Sequence, residues 1–281
     1  MTAEQETIYH YTDIPTLALI LNSGRIRFNR LDRVFDLSEA RTGKGIELGK
    51  FLFVSCWTKH ADESIPLWRL YTKDLSGVRI GLPLYPFAQL DFTPPPEWEF
   101  IKQGHIASPI PFDEAWSDSH FVVPQFLNRR LFGDSVKYKK DIQAVYESSV
   151  SIDTDGDHTT LSVDHLYDLP RLKTKAWEFE NEYRFALFIL PAIRIPAGGP
   201  SRDNYEKELP NHMLRCLLEG REPPLTYFDV RLAPEALERM EVVLGPCCSE
   251  GDRLIVESLL KRFAAGGSLM SSNFEGTIRA S

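Results

Sequence analysis

The sequence predicts a single α+β domain spanning residues 1–281. Three observations predict it. Strand-like and helix-like segments succeed one another without regular βαβ alternation, which argues against a parallel, doubly wound sheet. Hydrophobic residues make up 43% of the 281 positions, enough to bury a substantial core. Charged residues make up 26%, close to the globular average, so the composition is that of a folded chain.

The elements follow in order. Ile8–Tyr11 reads as a short strand. Asp13 can cap a helix that has Pro15 in its first turn, Leu17, Ile20 and Leu21 on its apolar face and Gly24 at its end. Arg25–Phe28 alternates polar and apolar residues, the period of a strand. Residues 29–50 are charged and glycine-bearing, a surface loop able to fold over a cleft. Phe51–Trp57 is a strand with consecutive apolar residues, which predicts burial on both faces. Ser64–Tyr71 reads as a helix and Gly77–Leu82 as a strand.

Residues 83–111 carry many prolines, including Pro94, Pro95 and Pro96, and read as irregular. Asp113–Phe132 reads as helical, interrupted at Pro124, so about 83–135 is expected as an irregular and helical insertion. A strand at Val136–Tyr138, a helix at Asp141–Val150 and an acidic loop at 151–170 come next. Trp177–Leu190 is the clearest strand of the chain. A polar loop over 194–211 leads to a short helix at His212–Leu218 and a strand at Leu225–Leu232. A helix at Pro234–Met240, a strand at Glu241–Leu244, a helix at Asp252–Phe263 and a strand near Gly276–Arg279 complete the reading.

Composition excludes several functions. The net charge of −8 argues against tight non-specific binding of nucleic acid, although a local basic patch would suffice for a specific substrate. There is no run of 18 apolar residues to span a membrane. Met1–Glu6 lacks the features of a secretion signal. The four cysteines, Cys56, Cys216, Cys247 and Cys248, form no C-x-x-C pair, so a reduced, cytoplasmic protein without structural zinc is expected. Asp153-Thr154-Asp155-Gly156-Asp157-His158 has its glycine at the wrong position for a calcium loop, and His60, Asp62 and Glu63 lack a second ligand cluster. No metal is expected.

Three segments can carry chemistry. On the predicted strand Trp177–Leu190, period-2 alternation puts Glu178, Glu180, Glu182 and Arg184 on one face. Trp177, Phe179, Tyr183 and Phe185 fall on the other, expected in the core. The acidic face has two readings: an ordinary solvated face, or a row of carboxylates lining a cleft. In the second, mutual repulsion raises at least one pKa and suits acid–base or cation-stabilising work. Tyr9-His10-Tyr11-Thr12 sets a histidine between two aromatic rings, apt for a ribose hydroxyl or a flat ring, or simply a half-buried first strand. Ser55-Cys56-Trp57-Thr58, with Trp68 and Tyr71 three apart on a helix, forms the third set, a ligand platform or part of the core. Cys56 has no base near it in sequence to make it a nucleophile.

Taken in order, these segments resemble an uncharacterised bacterial family, the domain-of-unknown-function family 2971. The matching pieces are Tyr9–Thr12, Ile20–Phe28, Phe53–Thr58, Leu67–Tyr71, Gly77–Ile80, Val136–Tyr138, Trp177–Phe185 and Val243–Pro246, almost end to end. One departure is the segment Arg33-Val34-Phe35-Asp36-Leu37, where the family commonly shows an Asn-Asp-Pro-Phe-like run.

That family in turn looks like a remote ADP-ribosyltransferase. The likeness implies a split β-sheet core with flanking helices and a helical excursion, and three separated motifs. His10 matches the first, Ser55-Cys56-Trp57-Thr58 the second, and Glu180-Asn181-Glu182 the third. It implies NAD as a consumed substrate, with Glu182, Glu180 and His10 as catalytic residues. His10, Tyr11, Thr12, Ser55, Trp68 and Tyr71 would hold the dinucleotide. Arg25, Arg27 or Arg79 could offer a donor to its pyrophosphate.

The implied reaction transfers ADP-ribose to a macromolecular acceptor, whether protein, DNA or RNA. A role as a toxin or anti-phage effector, with an antitoxin as partner, follows from the same likeness. NAD hydrolysis at the same site, or a non-catalytic ligand-binding or interaction module, are the alternatives.

Overall fold

The computed structural model describes residues 6–39, 42–101, 104–156, 158–193 and 201–279. One sheet has ten strands. They are β1 (Thr7–Thr12), β2 (Arg25–Arg30), β3 (Leu52–Thr58), β4 (Val78–Pro83), β5 (His120–Val122), β6 (Gly133–Ser135), β7 (Glu182–Pro191), β8 (Tyr227–Arg231), β9 (Glu241–Leu244) and β10 (Ser268–Ser271). The longer helices are α1 (Ile14–Ser23), α2 (Ile65–Tyr71), α3 (Ile142–Ser149), α4 (Arg202–Leu218) and α5 (Glu250–Phe263). The main path of the sheet runs β8-β2-β3-β1-β4-β9-β10, and β7 joins β3 to β5 and β6. Only β9 and β10 pair in parallel within this sheet. The architecture is α+β, as the element order predicts.

Both faces of the sheet are covered, and β7 shows why its sequence is a nearly unbroken apolar run. Tyr183, Phe185, Leu187 and Ile189 enter one core, while Ala186, Phe188 and Leu190 enter the other. Phe188 is fully buried, so truncation to alanine removes about 3–5 kcal/mol. Helix α1 packs on the first core through Leu17, Ile20 and Leu21. Its ends are those the sequence predicts. The Asp13 carboxylate accepts from the Thr16 N–H at 2.7 Å, and Gly24 takes a φ of +62° to close the last turn. A reciprocal Ser249–Asp252 box starts α5.

The feature that matters for function lies along one edge of β3. β7 pairs with the whole of β3, from Glu182↔Thr58 to Phe188↔Leu52. On the opposite edge β2 pairs at Phe53 and Val54, and β1 pairs at Thr58. The two strands diverge between these points. Ser55, Cys56 and Trp57 face the gap.

The structure corrects several expectations. Trp177–Glu180 is not strand: Lys175–Glu180 is a 3-10 helix and β7 begins at Glu182. Alternating aromatic residues imitate a strand there, but Trp177 is only partly buried and Phe179 is exposed, so neither is core. Asp113–Phe132 breaks into a turn of helix at Phe112–Ala115, strand β5, a 3-10 turn at Pro124–Leu127 and a turn of helix at Arg129–Phe132. Pro124 cannot continue a helix, and β5 instead pairs with β7. The stretch expected as an insertion thus supplies β5 and β6 to the sheet.

The acidic loop at 151–170 contains an antiparallel hairpin of Val150–Asp155 and His158–Val163. Residues 151–155 are exposed, so no apolar alternation marks that strand. The polar loop at 194–211 is largely α4, which starts at Arg202 with Ser201 as its cap; residues 194–200 lie outside the described ones. The last strand is Ser268–Ser271, where pairing with β9 decides, and not Gly276–Arg279. Among the described residues no helix is long and apolar enough to cross a membrane.

Candidate active site

Glu180 and Glu182 meet through a turn. Asn181 takes a φ of +43°, a left-handed conformation that asparagine tolerates better than most residues. The turn is fastened to the end of β3. Thr58 Oγ1 donates to the Glu180 carbonyl at 2.5 Å, and the Lys59 N–H donates to the Asn181 carbonyl at 3.0 Å. The Glu182 N–H donates to Tyr138 Oη at 2.8 Å. From Glu182 onward the chain is strand, so Glu182 and Arg184 share a face, opposite Thr58 and Cys56.

Three carboxylates and two cations are buried together here. Arg184 Nε donates to Glu182 Oε1 at 2.6 Å and Nη2 to Oε2 at 3.0 Å. Its Nη1 pairs with Glu39 and donates to the Pro170 carbonyl at 2.9 Å. Lys173 Nζ lies 2.5 Å from Glu180, 3.1 Å from Glu182 and 3.5 Å from Glu39. None of the five side chains is more than 5% exposed. With every group ionised, carboxylates outnumber cations by one.

The environment separates the two glutamates of the turn. Burial works to raise the pKa of Glu182, but Arg184 and Lys173 outweigh it and hold the group at about 2. Burial also raises Glu180, and the neighbouring Glu182 adds to this. Lys173 and Tyr71 offset only part, so Glu180 stays above the usual carboxylate range. One carboxylate is therefore fixed as an anion and the other is poised to take a proton. Burial disfavours the charge on Lys173, yet its three carboxylates keep it protonated. Buried ion clusters are costly, and displaced pKa values concentrated at a cleft mark candidate functional sites.

Two cavities meet at this cluster. The first, of about 360 Å³, is lined by His10, Tyr11, Cys56, Tyr71, Glu180 and Glu182, among others. The second, of about 780 Å³, shares His10, Cys56, Tyr71 and Glu182 and extends over β2 and the loop after it. The loop predicted to cover a cleft does supply a wall, through Arg33, Val34, Phe35, Asp36 and Glu39.

His10 closes the gap between β1 and β2. Its Nδ1 lies 2.9 Å from the Cys56 carbonyl. A carbonyl only accepts, so this assigns the proton to Nδ1 and leaves Nε2 as an acceptor. Burial lowers the pKa of His10, which keeps the ring neutral. Tyr71 Oη donates to Glu180 Oε1 at 2.6 Å. Burial and Glu180 both raise the Tyr71 pKa, so the phenol stays protonated. Burial and Glu182 likewise raise the Cys56 thiol well above its ordinary value, which removes it as a nucleophile.

The remaining expected residues divide. Tyr11 lines the first cavity and accepts from the Ser64 N–H at 3.0 Å. Ser55 lines the second cavity and accepts from Trp57 Nε1 at 3.1 Å. Thr12 is buried and lines neither cavity. Trp68 is fully buried, with its ring edge-to-face against Tyr11 and Nε1 donating to Glu63 at 3.0 Å. No face of it is open for stacking, which leaves Tyr11 and Tyr71 as the aromatic residues of that set at the first cavity. Arg25 is paired with Glu114, and Arg79 donates to the carbonyls of His60 and Ala61; of the three arginines considered, only Arg27 reaches a cavity.

Glu39, Lys173 and Tyr138 were not legible as site residues. They sit in ordinary-looking polar stretches, and nothing in the sequence says which of 32 basic residues is buried. Arg184 was placed on the correct face without a role. Among the described residues no group of three His, Cys, Asp or Glu side chains is arranged to hold a metal ion. The chain matches no family model, no curated protein and no solved structure.

Proposed function

We propose that this cleft binds NAD and that the protein is an ADP-ribosyltransferase-type enzyme of the cytoplasm, passing ADP-ribose to a macromolecular acceptor. The observation that carries the reading is the convergence of His10, Tyr71, Glu180 and Glu182 on one cavity whose buried carboxylates outnumber its cations. The divergence of β1 and β2 along β3 supports it as well, since a split sheet is what the family likeness implies.

The chemistry assigns each residue a task. Breaking the nicotinamide–ribose bond leaves the electron pair on neutral nicotinamide and positive charge on the sugar. Glu182, permanently ionised, stabilises that charge. Arg184 and Lys173 hold its carboxylate in place. An acceptor hydroxyl or amine then forms the new bond to the same sugar carbon. Its proton goes to Glu180, the carboxylate with the raised pKa. Neutral His10 offers Nε2 to a ribose hydroxyl, and Tyr71, partly exposed, offers a ring to nicotinamide. A toxin or anti-phage effector restrained by an antitoxin is the setting this chemistry fits.

Product analysis after incubation with NAD tests the reading. Nicotinamide together with label attached to protein or nucleic acid supports transfer. Nicotinamide with free ADP-ribose alone identifies a hydrolase. A second reading, a binding module without turnover, rests on one observation: Arg184 and Lys173 already engage both oxygens of Glu182. Tight NAD binding without nicotinamide release would favour it.

A further inference from the structure

The 3-10 turn Leu37–Glu39 buries its carboxylate and exposes its leucine. Leu37 is 76% exposed, while Glu39 is 2% exposed. Phe35, two residues before the turn, is also exposed. Hydrophobicity alone favours the reverse, because a buried carboxylate is costly unless it is paired. The Glu39 N–H donates to the Asp36 carbonyl at 3.0 Å, which fixes the turn beside the cluster. The reaction above gives Glu39 no task.

Arg184, Glu182, Lys173 and Glu39 close a ring of alternating charge. Arg184 reaches Glu182 through Nε and Nη2, and Glu39 through Nη1. Lys173 Nζ reaches Glu182 at 3.1 Å and Glu39 at 3.5 Å. Two cations face two carboxylates, so the ring is balanced. Glu180 stands outside it, joined to Lys173 at 2.5 Å. Its other neighbours are Glu182 at the head of β7, Tyr71 from α2 and Tyr138 from the short strand Lys137–Lys139. Burial keeps both phenols protonated, so neither adds charge. From β1 and β3, the uncharged His10 and Cys56 line the same cavity, and His60 holds the Phe179 carbonyl at 3.2 Å.

We propose that Glu39 is a positioning residue that sets the protonation of Glu180. It acts through Lys173 and Arg184. With Glu39 in the ring, both cations are matched, and Glu180 must share a lysine that two other carboxylates already engage. A carboxylate so placed keeps its proton to higher pH and is the stronger base once it loses it. Without Glu39, two carboxylates face two cations and Glu180 ionises more readily. The assignment deepens the NAD reading and rests on it for the use of that proton, though not for the coupling of charge.

Carbon-13 NMR of glutamate carboxyls, without NAD, tests the coupling. The Glu180 signal is the one missing from Glu180→Gln. Its titration midpoint should fall by about one pH unit or more in Glu39→Gln. Glu39→Asp keeps the charge and should recover part of that shift. The double variant Glu39→Gln/Arg184→Gln removes one charge of each sign, a change that buried pairs tolerate better than loss of one partner. It keeps the test open if Glu39→Gln does not fold, which circular dichroism checks. Its midpoint should lie near the wild-type value; if Glu39 had no hold on Glu180, loss of Arg184 would push the midpoint up. An unmoved midpoint in Glu39→Gln, no recovery in Glu39→Asp, or a raised midpoint in the double variant overturns the proposal. Where NAD is turned over, the acid limb of kcat in Glu39→Gln should move to lower pH while KM for NAD holds. A moved midpoint with no nicotinamide release by the wild type would sink the reaction and leave the coupling standing. Release with an unmoved midpoint would do the reverse.

Discussion

Glu180→Gln and Glu182→Gln should have opposite effects on stability, although the two carboxylates are buried side by side and share Lys173. Glu182 ionises near 2 in the folded chain against an ordinary value of 4.5. At about 1.4 kcal/mol per pH unit, its charge contributes about 3 kcal/mol at neutral pH. Glutamine keeps one acceptor for Arg184, so the expected loss is about 2–3 kcal/mol. Glu180 has the reverse sign. Its folded pKa is raised, so its neutral form is the stabilising one. That contribution is present below 4.5 and lost as pH rises through the higher folded value. Glutamine cannot ionise and can still bond Tyr71, so Glu180→Gln should be neutral or stabilising at pH 7.

Urea unfolding followed by circular dichroism measures both, provided the slope is unchanged. Lowering the pH adds a second check. The Glu182 contribution should fade as pH drops from 4.5 toward 2, and the advantage of Glu180→Gln should vanish below 4.5. Equal destabilisation by both variants at pH 7 would refute the assignment of one fixed anion and one protonatable carboxylate.

Other perturbations separate structural from chemical roles. Tyr71→Phe should cost about 1.5–3 kcal/mol of stability, the value of a hydrogen bond to a charged group, and should lower turnover of NAD more than its binding; kinetics of nicotinamide release will show the split. Trp68→Ala should lower stability by about 3–5 kcal/mol without changing NAD affinity in the folded protein, because its ring faces the core; a many-fold loss of affinity by calorimetry would return it to the ligand platform. His10→Ala should reduce the rise in thermal midpoint that NAD produces, through loss of the Nε2 acceptor, and an unchanged rise would remove His10 from the site.

Much of the scaffold was legible because local signals and tertiary packing agree. Asp13 and Gly24 bound α1 as caps must, and Glu241–Leu244 is strand in both readings. Burial on both faces made β3 easy to find as a run of consecutive apolar residues, and β7 reads the same way from Phe185 onward. The same logic hid the Val150–Val163 hairpin, where five consecutive strand residues are exposed. The pairing of Glu180 with Glu182 was anticipated for the wrong reason. Period-2 alternation suggested one face of a strand, whereas the left-handed turn at Asn181 brings them together. Charge partners were the least legible part. Glu39 lies far from Glu182 in sequence, and Lys173, nine residues before it, sits on a separate short strand, so only the fold brings the three together. Trp68 shows the limit of helical spacing: it shares α2 with Tyr71, but one ring is sealed in the core and the other reaches the cleft.

The most direct test of the central claim is nicotinamide release from NAD by the wild-type protein and by Glu182→Gln, under conditions where circular dichroism shows both folded. The account predicts release by the wild type and a loss of about 10²–10³ in rate for the variant, the range for removing one charge-stabilising group from a reaction centre. Equal release by the two proteins, or none from the wild type at millimolar NAD, would contradict it.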